Sequence, residues 1–413
     1  MSILRIKNSK LKGEVFVNHS KSYLHRYIFA SSFAAENTII KGFDLSEDIK
    51  DTMLSLISFA DFDLLDSGDV LVKPRENKKS LDRVRVEASG TTLRFMLFNI
   101  LDGNLHEIYM GDKLFERPNE PAFKIFDANG IKYRINDKNK SISIKGDLVK
   151  DEYIISEDIS SQFVSSLLFK LARMDFDSRI VLDCDLSSRS YIDMTIKCLN
   201  DFGIEIDASE NEFKIKGGQE FKSAGEYIIE RDYSNAANYY AANYLGSDID
   251  IMDMLDTSIQ ADKMVKDTLL RYDQTQKLTI DMKNSPDAVP ILAMAALFRK
   301  HKTTFTSVKR LMYKESNRVQ AIINELKKIG AKITFTDDSL IVNPLEDIIM
   351  YTNKFDAYND HRIAMMIAIL ATKLDQDIFL SGYECVNKSY PKFFEDYISL
   401  GGEVNVIDNW KQN

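Results

Sequence analysis

Lysines and arginines recur in this sequence beside short polar segments that open apolar stretches. Lys21 and Arg26 flank one such start, Arg94 follows a second and Arg362 stands in another. Arg117 precedes Pro118 in GDKLFERPNEPAF, Lys314, Glu315 and Arg318 stand together in LMYKESNRVQAIINEL, and Lys388 lies in NKSYPKFFEDY. Any one of these cations reads as a surface salt bridge worth little. Their recurrence at corresponding places reads instead as a site for several anionic groups, since arginine offers paired hydrogen bonds to carboxylate and phosphate.

Other chemistries lack their residues. There is no G-x-x-x-x-G-K-[ST] and no G-x-G-x-x-G loop for phosphates. The cysteines, Cys184, Cys198 and Cys385, are odd in number and without C-x-x-C spacing, which predicts reduced or buried thiols. The five histidines lack zinc-ligand spacing, so no metal is expected. A net charge of -9 argues against a nucleic-acid-binding surface. The mixed run 73–85 reads as a solvated loop. The apolar stretch 363–371 is too short to cross a bilayer. Residues 1–20 carry Arg5, Lys7, Lys10, Lys12 and Glu14 without an apolar core, so a cytoplasmic location and no membrane partner are expected.

The elements that must position these cations repeat. Six segments open with a polar residue and continue as an apolar helix: SKSYLHRYIFASSFAA, SGTTLRFMLFNIL, SSQFVSSLLFKLA, SNAANYYAANYL, DAVPILAMAALF and NDHRIAMMIAILA. A strand follows each, and a second helix then runs into Gly130, Gly203 or Gly330 before a polar-turned hairpin. Glycine suits the left-handed position past a helix end. The first five copies carry at least traces of the closing strands. Helices apolar nearly all round are buried. Their first turns hold Ser22, Gly90, Thr91, Ser160, Ser161, Ser234, Asp287 and Asp360, which read as capping types and, taken together, as N-termini that could face anions. A chain of 413 residues suits two domains, three copies in each.

SKSYLHR, SGTTLR, FERP, SSQF, SRSYIDMT, SPDAVPILAMAALF, YKESNR, YNDHRIAM and NKSYPKFF follow the order and approximate spacing of the 5-enolpyruvylshikimate-3-phosphate synthase family, which the chain resembles from about Lys21 to Phe394. The resemblance implies an inside-out α/β fold, each domain made of three βαβαββ-like repeats with buried helices. It implies an N-terminal domain at 19–230 and a second domain built from 1–18 plus 231–413, with the active site in the interdomain cleft. The activity it implies is transfer of the enolpyruvyl group of phosphoenolpyruvate to the 5-hydroxyl of shikimate 3-phosphate, without a cofactor, by a monomer.

Residue by residue, the resemblance places shikimate 3-phosphate on Lys21, Ser22, Arg26, Ser160, Ser161, Gln162, Ser188, Tyr191, Asp287 and Lys314. Phosphoenolpyruvate falls to Lys21, Gly90, Arg94, Arg117, Gln162, Arg318, Arg362 and Lys388, and the acid–base work to Asp287, Glu315 and Lys21. The chemistry asks for such types: two phosphates and two carboxylates must be held together, and protons must leave a hydroxyl and reach and leave C3 of phosphoenolpyruvate.

The sequence departs from the family pattern in places. Asn18-His19-Ser20 stands where Pro-Gly is usual, Ala88 where Asn is common, Phe95 where Pro follows the arginine, Ser316-Asn317 for Thr-Asp, and Arg310 for an Asn facing the shikimate ring. Two rival readings are a UDP-N-acetylglucosamine enolpyruvyl transferase, whose mobile-loop cysteine has no counterpart near GDKLFERPNEP, and an inactive binding homologue.

Overall fold

The six opening segments are helical in the computed structural model of the chain, which describes residues 2–76, 78–156 and 160–408. They run Lys21–Phe33, Gly90–Asn99, Ser161–Leu171, Tyr233–Tyr244, Val289–Ala296 and His361–Ala371. Every residue of Val289–Ala296 and of His361–Ala371 is buried, as expected of helices without a polar face. Two of the expected residues, Ser160 and Asp360, are caps, and three further caps lie upstream of the expected ones. Ser20, Ser89, Ser160, Asp232 and Asp360 each accept from a backbone N–H of the first turn. Ser22, Gly90, Ser161 and Ser234 therefore fall inside the helices.

The repeat is visible in the sheets. In one copy, strand Arg83–Val86 leads into helix Gly90–Asn99 and then into the parallel strand Leu105–Met110, with Val84 opposite Ile108. Helix Glu120–Ala128 follows, and the hairpin Lys132–Asn136 and Ser141–Lys145 returns antiparallel to Leu105–Met110. The same order is found in Glu152–Ile155, Ser178–Leu182, Glu212–Ile215, Ile206–Ala208 and in Leu278–Asp281, Thr303–Thr306, Ser339–Val342, Ile333–Thr336. Gly130, Gly203 and Gly330 have φ of 68°, 77° and 88°, the left-handed caps that end the second helices.

Three copies are completed by distant strands. Glu226–Ile228 pairs with Thr38–Lys41 to open the first copy, and Lys12–Val15 pairs with Asp248–Ile251 to open the fourth. Ile3–Ile6 lies between Ile378–Ser381 and Val404–Ile407 and closes the sixth. The fourth copy corrects the sequence reading. Its second helix, Met264–Tyr272, runs directly to Leu278–Asp281, and its sheet has two strands and no hairpin. The run 73–85 is a solvated loop only between strands Val70–Pro74 and Arg83–Val86, which take its two ends; Lys73, Arg75 and Arg85 make exposed ion pairs, and Asn77 lies outside the described residues.

The chain divides into His19–Glu230 and Met1–Asn18 with Arg231–Asn413, each with its own apolar core; Met1 and residues 409–413 lie outside the described residues. In His19–Glu230, Phe29, Phe95 and Phe169 meet with ring centroids 5.1 to 5.9 Å apart. Such pairs add about 0.5–1.5 kcal/mol beyond area burial. Phe95 is thus a core residue, and replacing it by alanine would cost about 3–5 kcal/mol.

Candidate active site

In the unit Met1–Asn18 with Arg231–Asn413, the site is built around one buried arginine. Arg318 opens helix Arg318–Lys327 behind its cap, Asn317. Its side chain is 1% exposed and meets three carboxylates: Nη1 donates to Asp287 at 2.6 Å, Nη2 to Glu315 at 2.7 Å, and Nε to Asp360 at 2.7 Å. A guanidinium taken out of water so fully requires this matching. Lys314 donates to the same Asp287 oxygen at 3.1 Å, and Lys388 Nζ lies 3.8 Å from Glu315. Asp287 sits in the short turn Pro286–Ala288 before the buried helix Val289–Ala296, so that helix sets its position.

The electrostatics of this cluster are mutual. Burial opposes ionisation of Asp287, but Lys314, Arg318 and Arg362 outweigh it and hold the carboxyl well below its ordinary range. Burial likewise lowers Lys314, with Asp287 opposing and Arg318 and Arg310 adding to the lowering. Arg310, on the turn Lys309–Tyr313, is therefore close enough to Lys314 to repel its charge. Arg362 donates through Nη1 to the Ser234 carbonyl at 2.9 Å, while its buried Nε has no hydrogen-bond partner among the described residues. Beside it Asp262 accepts from Ser234 Oγ, and burial with the charge of Asp287 pushes its carboxyl up to about 6. Two consecutive non-glycine residues, Tyr358 and Asn359, adopt φ of 52° and 53° immediately before Asp360. Strain of this kind costs on the order of 1–3 kcal/mol per residue and is held where surrounding structure over-determines it.

In His19–Glu230 the cations are held differently. Arg26, on helix Lys21–Phe33, is 2% exposed and donates to Thr195 Oγ1 at 2.8 Å, the Ser22 carbonyl at 2.6 Å and the Tyr191 carbonyl at 2.8 Å. Its guanidinium also lies 5.7 Å from the Phe95 ring and 6.0 Å from Tyr191. Burial pushes it down to about 10, which leaves it charged at neutral pH. Arg94 donates to Ser160 at 3.2 Å and to Gln162 at 2.7 Å, and Gln162 donates onward to Thr91 at 2.8 Å. Lys21 pairs with the buried Asp48 at 2.6 Å. Gly90 faces Arg117: a Cβ there would lie 2.6 Å from Arg117 Nη1, so any side chain at position 90 would displace that guanidinium from where it now rests. Ser188 has φ 61° and ψ 37° at the start of helix Arg189–Asp201, whose first residue, Arg189, turns to Asp193 and the carbonyls of Ser209 and Glu210. Ser161 is buried in the first turn of its helix, behind the Ser160 cap.

The structure thus brings Asp287, Lys314, Glu315, Arg318 and Lys388 into one cluster, with Arg362 adding its charge to Asp287. Within the other unit it groups Ser22, Arg26 and Tyr191, joins Arg94 to Ser160 and Gln162, and seats Arg117 on Gly90. Sequence reasoning missed Asp48 and Asp262 altogether. It took Asp360 for a helix start, which it is, without seeing that its carboxylate also holds Arg318 and Ser316. An acid in the first turn of a helix is too common to single out Asp48.

Comparison with known proteins agrees along the whole chain. The family model described as EPSP synthase (3-phosphoshikimate 1-carboxyvinyltransferase) matches residues 6–397. A 3-phosphoshikimate 1-carboxyvinyltransferase of Clostridioides difficile (strain 630) is 36% identical, with 99% of both chains covered. One from Clostridium perfringens (strain 13 / Type A) is 36% identical over 96% of this chain and 98% of its own. Among solved structures, EPSP synthase from Acinetobacter baumannii superposes with a TM-score of 0.80 at 20% identity, covering 99% of this chain and 100% of that one. The enolpyruvyl transferase NikO from Streptomyces tendae gives 0.76 at 14% identity, with 98% of both covered, and these two likenesses show the shared two-domain α/β fold. By the family match and by relatives of more than a third identity over nearly its full length, the chain belongs to the EPSP synthase (3-phosphoshikimate 1-carboxyvinyltransferase) family.

Proposed function

We propose that this chain joins phosphoenolpyruvate to the 5-hydroxyl of shikimate 3-phosphate and releases phosphate, with Asp287, Glu315 and Lys21 moving the protons. The observation that carries the reading is the ionised carboxylate of Asp287, held between Lys314 and Arg318 on a buried frame. A general base must be unprotonated before it can act. Alone, Asp287 is a weak base, because its cations stabilise the charge. Substrate phosphate and carboxylate groups bound to those cations would offset them and raise its basicity, so the reactants themselves would activate it.

The hydroxyl of shikimate 3-phosphate gives its proton to Asp287 and attacks C2 of phosphoenolpyruvate, while C3 takes a proton from Glu315 or Lys21. The tetrahedral adduct then loses phosphate as a C3 proton is removed. Arg26, with Lys21, Ser22, Ser160, Ser161, Gln162, Ser188, Tyr191, Asp287 and Lys314, binds shikimate 3-phosphate in this reading. Lys21, Gly90, Arg94, Arg117, Gln162, Arg318, Arg362 and Lys388 serve phosphoenolpyruvate. Each set draws residues from both units. A monomer acting in the cytoplasm completes the reading; Cys198 and Cys385 form no disulfide, the state kept by a reducing compartment. No helix among the described residues is long and apolar enough to cross a membrane.

Phosphate release measured with phosphoenolpyruvate and shikimate 3-phosphate, shikimate or UDP-N-acetylglucosamine tests the substrate assignment. Release is expected with shikimate 3-phosphate alone. Asp287→Ala should lower kcat by about 10²-fold or more while the protein stays folded. Near-normal turnover in that variant would remove Asp287 from the role of base.

A further inference from the structure

Asp51 lies on helix Glu47–Ser55, one turn beyond the Asp48 that pairs with Lys21. It is 8% exposed, and its Oδ2 accepts two consecutive backbone N–H groups, from Ala88 at 2.8 Å and Ser89 at 2.9 Å. Those are the two residues before Gly90, where helix Gly90–Asn99 starts. A carboxylate accepting two backbone donors is a strong and directional clamp, for each such bond is charge-assisted. What it clamps is the backbone beside Arg117, whose Nη1 lies only 2.6 Å from where a Cβ of residue 90 would stand.

We propose that Asp51 is a positioning residue for phosphoenolpyruvate: by fixing the Ala88–Ser89 backbone it sets the height of Gly90 and so the seat of Arg117. The proposal rests on the reading of Gly90 and Arg117 as part of the phosphoenolpyruvate site. One helix then serves two cations, through Asp48 to Lys21 and through Asp51 to Arg117. Asp51 touches neither substrate, and its influence is confined to the side that Arg117 serves.

The test is steady-state kinetics of the full chain, with both substrates varied and thermal unfolding measured in parallel. Asp51→Ala is expected to raise KM for phosphoenolpyruvate about tenfold or more, the scale of losing a good buried hydrogen bond. KM for shikimate 3-phosphate should stay within about twofold and kcat within about threefold on the same scale. Asp51→Asn, which keeps an acceptor oxygen at the same reach, should restore most of the affinity. Should Asp51→Ala not fold, Asp51→Ser, whose hydroxyl falls short of the two donors, is expected to show the same split. An unchanged KM for phosphoenolpyruvate in these variants, while Arg117→Ala raises it, would overturn the proposal and leave the site reading standing. An unchanged KM in Arg117→Ala would remove both. A parallel rise of both KM values in step with lost thermal stability, without rescue by Asp51→Asn, would reduce Asp51 to a structural residue.

Discussion

Arg318 and Arg26 are both buried arginines, and their surroundings are opposite. Arg318 meets three carboxylates, whereas among the described residues Arg26 is held by a hydroxyl, two carbonyls and two aromatic rings. The first arrangement consumes the charge of the arginine to keep acids ionised and aimed. The second holds the guanidinium in place and leaves its charge uncompensated, which suits a group whose partner arrives with a substrate. Acid–base chemistry needs carboxylates defined before substrate binds; anion binding needs positive charge still unspent. Under the proposed function these two arginines would divide the work, Arg318 ordering the acids and Arg26 receiving an anion, with Arg362 resembling Arg26 in being held by the Ser234 carbonyl.

Removing Arg318 should break the comparison most strongly. Arg318→Ala would leave Asp287, Glu315 and Asp360 buried without their shared partner, a change that costs about 3–5 kcal/mol in buried networks. Chemical denaturation should show this loss, together with lost turnover. A variant as stable as the parent would mean that the three carboxylates do not depend on that cation.

A second contrast lies within the charge-matched region. Asp287 is held below its ordinary value, so its contribution to stability is present above about pH 4 and disappears as pH falls through its lower folded value. Asp262 runs the other way. Its folded value of about 6 exceeds the unfolded one, so the native state takes up a proton first and gains stability as pH falls from about 7 toward 4. A shift of this size corresponds to on the order of 2–3 kcal/mol. Thermal unfolding of Asp262→Asn across that window should lack the gain seen in the parent protein, and identical pH profiles would refute the assignment.

Arg26→Lys tests the uncompensated side. It keeps the charge but loses the planar fork, and should raise KM for shikimate 3-phosphate about tenfold with kcat little changed. A fall in kcat with KM unchanged would place Arg26 in the chemistry instead of in binding. The smallest effect belongs to Arg310, whose charge already lowers Lys314. Arg310→Asn should raise KM for shikimate 3-phosphate by a few-fold at low salt, consistent with under about 1 kcal/mol for a part-exposed charge. The difference should shrink as ionic strength rises. Constants unchanged at both salt concentrations would mean that Arg310 acts on Lys314 alone and not on substrate.

The sequence alone determined the repeat, the buried helices and the glycines that end the outer helices, because these depend on periodicity and on local backbone preference. The apolar runs 289–296 and 361–371 have no polar face to give to water, and Gly130, Gly203 and Gly330 occupy a conformation other residues adopt at a cost. The clustering of Lys314, Glu315 and Arg318 was likewise legible, since they are near neighbours in the chain. Tertiary structure decided what joins them to distant residues. That Asp287 and Asp360 converge on Arg318, that Asp48 takes Lys21, and that Asp51 reaches Ala88 and Ser89 depends on which helices pack together. The missing hairpin of the fourth copy and the strand Ile3–Ile6 that completes the sixth were decided there too. Strand pairing joins hydrogen-bonding edges regardless of separation along the chain, and local pattern carries no record of the partner.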